Sequence, residues 1–374
     1  MASRRHWHLS VLSALVGASL LAACGGGGDS EPIATRVVSF GDSLSDLGSY
    51  SPATSLAGTG AAPFFAGRFT TNTHTGYTAA SNSNTATIWV EWVASRVGVA
   101  ITPHEVGFLT TSVKCPAAAN PALAGSCTGY GQGGAMVTNP NGIGKSGGAL
   151  TVPVVTQVAN HLTRFTSFGA GDIVFFWAGS NDMLVQFGSV GQGLPPATAV
   201  ANMQAAANQL VALVKDQVVA KGATRVAVLN VPDASVSPAF SALPASSKAL
   251  LTQLSAEFNT TLAAGLAGTD VRIIDIRAFI LDSVANPSKY GFTNATAATC
   301  DPAMIQALTG GRVTDGSSLF CNASSQSFNT MKTGSSASTW LFADGVHPTT
   351  GGHKALGDYV ITQIKDFGWL PANL

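Results

Sequence analysis

The stretch Arg36-Val37-Val38-Ser39-Phe40-Gly41-Asp42-Ser43-Leu44 runs from a β-branched and apolar segment straight into a polar turn. A short apolar run bounded by glycine and small polar residues reads as a strand buried on both faces. Three other segments share this character: Asp172 to Ala178 (DIVFFWA), Arg225 to Asn230 (RVAVLN) and Val271 to Asp275 (VRIID). A weaker strand is expected near Ala100 to Glu105. Helical periodicity lies between them. It is clearest from Ala197 to Lys221, where Val200, Met203, Ala207, Leu210, Leu213 and Val214 recur at helical spacing. Further helices are predicted at about Trp89 to Val97, Gln157 to Phe165, Lys248 to Leu266 and Gly352 to Phe367. Strands alternating with helices are the signature of an α/β fold with a parallel sheet. No internal repeat is visible, so residues 35–374 read as one domain.

The chain has 374 residues, and its 19 Lys and Arg balance 19 Asp and Glu, so that only 10% of positions are charged. Nucleic-acid binding needs clustered basic residues that displace counterions, and a net charge of zero excludes it as an expectation. With 46% hydrophobic residues the chain is not a disordered one. Its longest strongly apolar run, Val11 to Ala23, is shorter than the roughly 20 residues that span a bilayer. Two long stretches, Ser49 to Thr87 and Asn286 to Thr339, are rich in Ser, Thr, Asn, Gly and Ala. Loops of such length in a compact domain commonly form binding walls or lids.

Arg4 and Arg5 precede the apolar run, which ends in Leu21-Ala22-Ala23-Cys24. Residues 1–23 therefore read as an export signal, and the last four of these residues resemble a bacterial lipobox, in which cleavage precedes a cysteine that then carries lipid. Residues 24–34 follow as a lipidated Cys24 and a glycine-rich tether. The expectation is a protein exported from a bacterial cytoplasm and held to the outer membrane or cell surface through Cys24. The alternative is an ordinary secretory signal leading to the periplasm or medium. Cys115, Cys127, Cys300 and Cys321 remain, an even number that suggests disulfides in an exported protein. Of three possible pairings, Cys115 with Cys127 and Cys300 with Cys321 close the shortest loops. No pair has the tight spacing of a structural zinc site, and no metal or cofactor is expected.

A serine at a strand-to-helix turn stands at the carboxyl edge of a parallel sheet, where helix N–H groups favour developing negative charge. Ser43 so placed suits a nucleophile; the same residue type also serves as an ordinary N-cap. In Phe342-Ala343-Asp344-Gly345-Val346-His347-Pro348 an Asp and a His lie close enough in one turn to serve one site. A His within reach of a serine can take its proton, and a carboxylate stabilises the imidazolium formed. Gly131-Gln132-Gly133-Gly134 lets backbone N–H groups approach a ligand, and Gly179-Ser180-Asn181-Asp182 follows the strand DIVFFWA directly. A backbone N–H and an Asn amide together suit the oxyanion of acyl transfer.

The ordered set Gly-Asp-Ser-Leu, Gly-Gly-Ala, Gly-x-Asn-Asp and Asp-x-x-His-Pro resembles the four blocks of the SGNH (GDSL) hydrolase family, across residues 36 to 353. The resemblance implies a three-layer α/β/α, flavodoxin-like sandwich around a central parallel sheet of about five strands. It also implies an ester hydrolase with Ser43 as nucleophile, His347 as general base and Asp344 as its partner. The oxyanion donors it implies are the Ser43 N–H, Asn181 and Gly134, with Gly133 as the alternative glycine. Arg68-Phe69-Thr70 resembles a stretch common after the first block, and the last block is most similar to the bacterial lipase, phospholipase and hemolysin branch. Lipid esters or short-to-medium acyl esters are the expected substrates, with Phe64, Phe65, Phe175, Phe176 and Trp340 as candidate apolar surface, Phe175 and Phe176 reading more as core. Polysaccharide deacetylation and acyl transfer use the same chemistry, and a surface binding protein without turnover is the alternative of another class. A monomer is expected.

Rival motifs fail on context. Gly142-Ile143-Gly144-Lys145-Ser146-Gly147 matches Gly-x-Gly-x-x-Gly but follows no strand and sits in a turn-rich run. His353 is the rival base but has no Asp at the matching distance, while His74, His104 and His161 show no ligand-like spacing.

Overall fold

The computed structural model describes residues 33–51, 67–74, 84–323, 329–371 and 373. The expected signal, Cys24 with most of its tether, Phe64 and Phe65 lie outside the described residues. In chain order the elements are β1 (Arg36–Gly41), α1 (Trp89–Arg96), β2 (Glu105–Phe108), β3 (Thr111–Lys114), α2 (Val154–Phe165), β4 (Asp172–Trp177), α3 (Ser180–Gly191) and α4 (Pro196–Gln217). They continue with β5 (Val226–Leu229), α5 (Ala245–Leu266), β6 (Arg272–Ile274), α6 (Ile276–Ala285), β7 (Asn294–Ala298), α7 (Pro302–Leu308), β8 (Trp340–Phe342) and α8 (Thr350–Asp366).

The central sheet has the order β1-β4-β5-β6, all parallel. Strands β1, β4 and β5 are buried on both faces and largely apolar, and alternate residues go to opposite layers. Val38, Phe40, Val174 and Phe176 meet Val158 of α2, Leu210 of α4 and Phe258 of α5. Val37, Ile173, Phe175 and Leu229 meet Trp89 of α1, Phe279 of α6 and Val360 of α8. Burial of two such layers is the main stabilising term, at roughly 25 cal/mol for each Å² of apolar surface removed from water.

The sheet has four strands where about five were expected. At the fifth place, along the free edge of β1, the chain makes a single parallel bridge between Ser39 and Gly129, with Ser39 N–H on Thr128 O at 3.0 Å and Tyr130 N–H on Ser39 O at 2.8 Å. The weak strand near residues 100–105 is likewise one bridge, Pro103 to Gly129, before the chain turns into the antiparallel β2–β3 hairpin. Three chain segments therefore leave the carboxyl edge side by side: the one after Tyr130, β1 at Gly41, and β4 at Trp177, which pairs with Gly41. A crevice outside the carboxyl ends of parallel strands is where α/β folds place ligands. Both disulfides follow the local pairing, Cys115 to Cys127 and Cys300 to Cys321.

Candidate active site

Gly41 ends β1 against the neighbouring strand, where a Cβ would stand 2.2 Å from Trp177 O. Only glycine allows the two strands to close there. The chain then turns through a short 3₁₀ segment, Ser43–Ser45, capped by Asp42, whose Oδ1 accepts the Leu44 N–H at 3.0 Å. Asp42 is buried, its Oδ2 meets no partner among the described residues, and burial raises its carboxyl to about 7, against the Leu44 hydrogen bond and the charge of His347. The turn leaves Ser43 9% exposed at the sheet edge.

His347 reaches Ser43 from the turn between β8 and α8. That turn is closed by the Ala343 N–H on His347 O at 2.8 Å and the bridge from Phe342 to Pro348. His347 Nε2 lies 2.8 Å from Ser43 Oγ, and His347 Nδ1 lies 2.8 Å and 2.9 Å from the two oxygens of Asp344. Asp344 also accepts N–H groups from Ser318 at 2.8 Å, Val346 at 2.9 Å and His347 at 2.8 Å. Burial alone would raise the Asp344 carboxyl, but the His347 charge and these hydrogen bonds outweigh it and hold the group well below the usual carboxylate range. For His347, burial disfavours the cation, while Asp344, Asp42 and Asp46 favour it and win, leaving the imidazole above its ordinary value. His353, the rival base, sits fully buried in the first turn of α8 between the Trp89 N–H and Phe69 O, and burial lowers it to about 3.

The other two blocks face the same point. Asn181 lies in the first turn of α3, a helix not among those expected from the sequence, and its Nδ2 donates to Ala135 O at 2.9 Å, leaving its second N–H over. Asp182, raised to about 6 by burial against the Val137 hydrogen bond, accepts the Val137 N–H at 3.1 Å. Gly134 has φ +78° and a Cβ there would stand 1.9 Å from Ile143 O, so this position also requires glycine. Neither the Ser43 N–H nor the Gly134 N–H has an acceptor among the described residues, whereas the Gly133 N–H is bound to Asp46 Oδ2 at 2.8 Å. Burial raises the Asp46 carboxyl, opposed by hydrogen bonds from Ser49, Gly133 and Gly48.

Three contributors had no role assigned to them from the sequence. Phe69 lies 4.8 Å from the His347 ring, centre to centre, and gives the Arg68-Phe69-Thr70 stretch a physical role. The Ser318 N–H on Asp344 is a backbone group and carries no sequence mark. It comes from the loop closed by Cys300 and Cys321. Asp46 is visible in Gly-Asp-Ser-Leu-Ser-Asp but points away from Ser43 toward the glycines.

Ser43, Phe69, Gly134, Asn181, Asp344 and His347 border a cavity of about 560 Å³. Its apolar wall is made by Phe69, Phe108, Met183, Leu184, Leu319 and Phe320, and among the described lining residues none is Lys or Arg. Of the aromatic residues proposed from sequence, Phe175 and Phe176 are fully buried inside the sheet layers and Trp340 is not part of the wall. The glycine-rich run Gly142 to Gly148 is a turn whose Ile143 and Gly144 form the rim.

The family model for GDSL-like Lipase/Acylhydrolase matches residues 37–360. The chain belongs to this family. Its four-stranded parallel sheet between helical layers is consistent with the family's fold, and the match encloses Ser43, Gly134, Asn181, Asp344 and His347. GDSL esterase/lipase APG of Arabidopsis thaliana is 31% identical over 158 residues, 39% of this chain and 41% of the plant protein. A second GDSL esterase/lipase of the same plant is 28% identical over 109 residues, 29% of this chain and 25% of its own length. The matched parts thus cover less than half of these two relatives.

Proposed function

We propose that this chain hydrolyses carboxylic esters through Ser43, His347 and Asp344. Ser43 Oγ attacks the acyl carbon while its proton passes to His347 Nε2. The bond to the alcohol oxygen then breaks, and His347 returns the proton to the leaving alcohol. Water attacks the resulting acyl-enzyme, gives its proton to His347, and releases the acid as the proton returns to Ser43. The Ser43 N–H, the Gly134 N–H and Asn181 Nδ2 hold the oxyanion of both tetrahedral intermediates. One observation carries the reading: the unbroken chain of hydrogen bonds from Ser43 Oγ through His347 to Asp344. No metal or cofactor is needed for any of these steps.

A largely apolar cavity with no Lys or Arg among its described lining residues favours an uncharged acyl chain, which supports lipid or short-to-medium acyl esters as substrates. A panel of neutral esters of graded acyl length, with a phospholipid and an acetylated polysaccharide included, tests this reading. Turnover that rises from acetyl to medium chains and disappears in Ser43→Ala supports it. A preference for the acetylated sugar would reassign the chain to deacetylation.

Two disulfides support an oxidising location, and no helix among the described residues is long and apolar enough to cross a membrane. We place the protein outside a bacterial cytoplasm, anchored by lipid on Cys24 and acting as a monomer. Intact-mass measurement of membrane-extracted protein should show acylated Cys24 at the N-terminus; an unmodified soluble form overturns the anchor.

A further inference from the structure

The backbone between Gly133 and Ala135 can be accounted for group by group, and one donor is left over. The Gly133 carbonyl accepts the Tyr50 hydroxyl at 2.7 Å, and the Gly134 carbonyl accepts the Ile143 N–H at 2.9 Å. The Ala135 N–H donates to Gln132 O at 3.1 Å, and the Ala135 carbonyl accepts Asn181 Nδ2 at 2.9 Å. Gly133 gives its N–H to Asp46 Oδ2 at 2.8 Å. Only the Gly134 N–H has no acceptor among the described residues. Gly134 borders the cavity, so its N–H, which like that of Ser43 has no acceptor among the described residues, can meet a ligand oxygen there.

Asp46 joins this segment to the nucleophile turn. Its own N–H closes that turn on Ser43 O at 3.3 Å, and its Oδ1 accepts the N–H groups of Gly48 at 2.9 Å and Ser49 at 2.6 Å. Oδ2 accepts the Ser49 hydroxyl at 2.6 Å besides the Gly133 N–H. One buried carboxylate thus fixes, within a single residue, the distance between the serine and the glycine segment. With the Gly133 N–H engaged, the Gly134 N–H is the donor of this segment left without an acceptor among the described residues.

We propose that Asp46 is a positioning residue that sets the oxyanion register: by binding the Gly133 N–H it leaves the Gly134 N–H, together with that of Ser43, as the donor to the acyl oxygen. This rests on the serine-hydrolase reading above. It goes beyond that reading in assigning the choice of glycine to Asp46.

The test compares wild type and Asp46→Asn for kcat, KM and the affinity of butylboronic acid, which forms a tetrahedral adduct on a reactive serine and presents an oxygen to the oxyanion donors. With its oxygen kept toward Gly48 and Ser49, the Asn side chain turns an N–H₂ toward the Gly133 N–H, donor against donor, while the Ser49 hydroxyl can rotate to accept. Loss of one oxyanion donor costs roughly 10²- to 10³-fold in kcat. We expect a fall of about 10²-fold in kcat and in boronate affinity, with KM within about twofold. A folded Asp46→Asn variant that keeps wild-type kcat and boronate affinity overturns the proposal, as does one that loses KM alone. If the variant does not fold, wild-type NMR decides. Boronate should move the Gly134 and Ser43 amide protons and leave that of Gly133 in place; movement of Gly133 with Gly134 unchanged refutes the assignment. Failure of wild type to bind boronate would instead sink the serine-hydrolase reading itself, a result distinct from either.

Discussion

Replacing Asp344 by Asn changes one atom and reverses the hydrogen bonding at its centre. Asp344 Oδ1 accepts the N–H groups of Val346 at 2.9 Å and His347 at 2.8 Å, so the Asn oxygen must take that side. The new N–H₂ then replaces Oδ2. It stands 2.8 Å from the Ser318 nitrogen, which donates to Oδ2 in the native site, and 2.8 Å from His347 Nδ1, which keeps only its 2.9 Å approach to the Oδ1 side. The imidazole can answer by moving its proton to Nε2, which leaves it with no lone pair toward Ser43 Oγ. The charge that raises His347 is lost at the same time. The wrong tautomer in a triad of this kind costs about 10⁴-fold in kcat, or about 5 kcal/mol of transition-state stabilisation. The Ser318 N–H left facing another donor adds about 1 to 3 kcal/mol of destabilisation. Both quantities can be read from one protein preparation, by initial rates on a neutral chromogenic ester and by denaturant unfolding. An Asp344→Asn variant that unfolds cooperatively and keeps kcat/KM within tenfold of wild type at neutral pH would refute this account of His347.

Two further outcomes follow from the same geometry. His347 must be neutral to accept a proton, and its pKa is raised above the ordinary 6.5, so kcat/KM should climb with pH through a midpoint above about 6.5 and level off at alkaline pH; a midpoint below that value contradicts the ion pair with Asp344. The loop closed by Cys300 and Cys321 carries the Ser318 N–H and the Leu319 and Phe320 wall, whereas Cys115 and Cys127 close a loop that makes neither contact. Replacing either pair with serines should cost about 2 to 4 kcal/mol of stability, but only loss of the Cys300 pair should also lower kcat in the still-folded protein; equal kcat in both variants argues against a role for that loop in orienting Asp344.

The parallel strands β1, β4 and β5 were legible because each is buried on both faces and reads as an apolar run with a turn at its end. The long amphipathic helices were legible for the matching reason, since α4 shows one apolar stripe. The edge position at Gly129 was not, because a single bridge demands no run of β-branched residues. Helix α3 begins within the polar Gly179-Ser180-Asn181-Asp182 block, and its start looks like a loop. The side chains of the site were readable as residue types: Ser43, Asn181, Asp344 and His347 all lie at the one cavity. What the sequence could not express was the supporting shell. The Ser318 N–H is backbone, the partner of the Gly133 N–H depends on how two loops meet, and Phe69 over the imidazole resembles any other core aromatic. Phe175 and Phe176 read more as core than as cavity wall and are fully buried in the sheet layers, whereas Trp340, the other described candidate, does not line the cavity.

The central claim is that Ser43 is a nucleophile activated by His347. Incubation with a fluorophosphonate ester followed by peptide mapping tests it without knowledge of the substrate. The account predicts one phosphonyl adduct, on the peptide that carries Ser43, forming in step with loss of ester turnover and absent from Ser43→Ala. No adduct on active wild type, or an adduct that persists in Ser43→Ala, would contradict it.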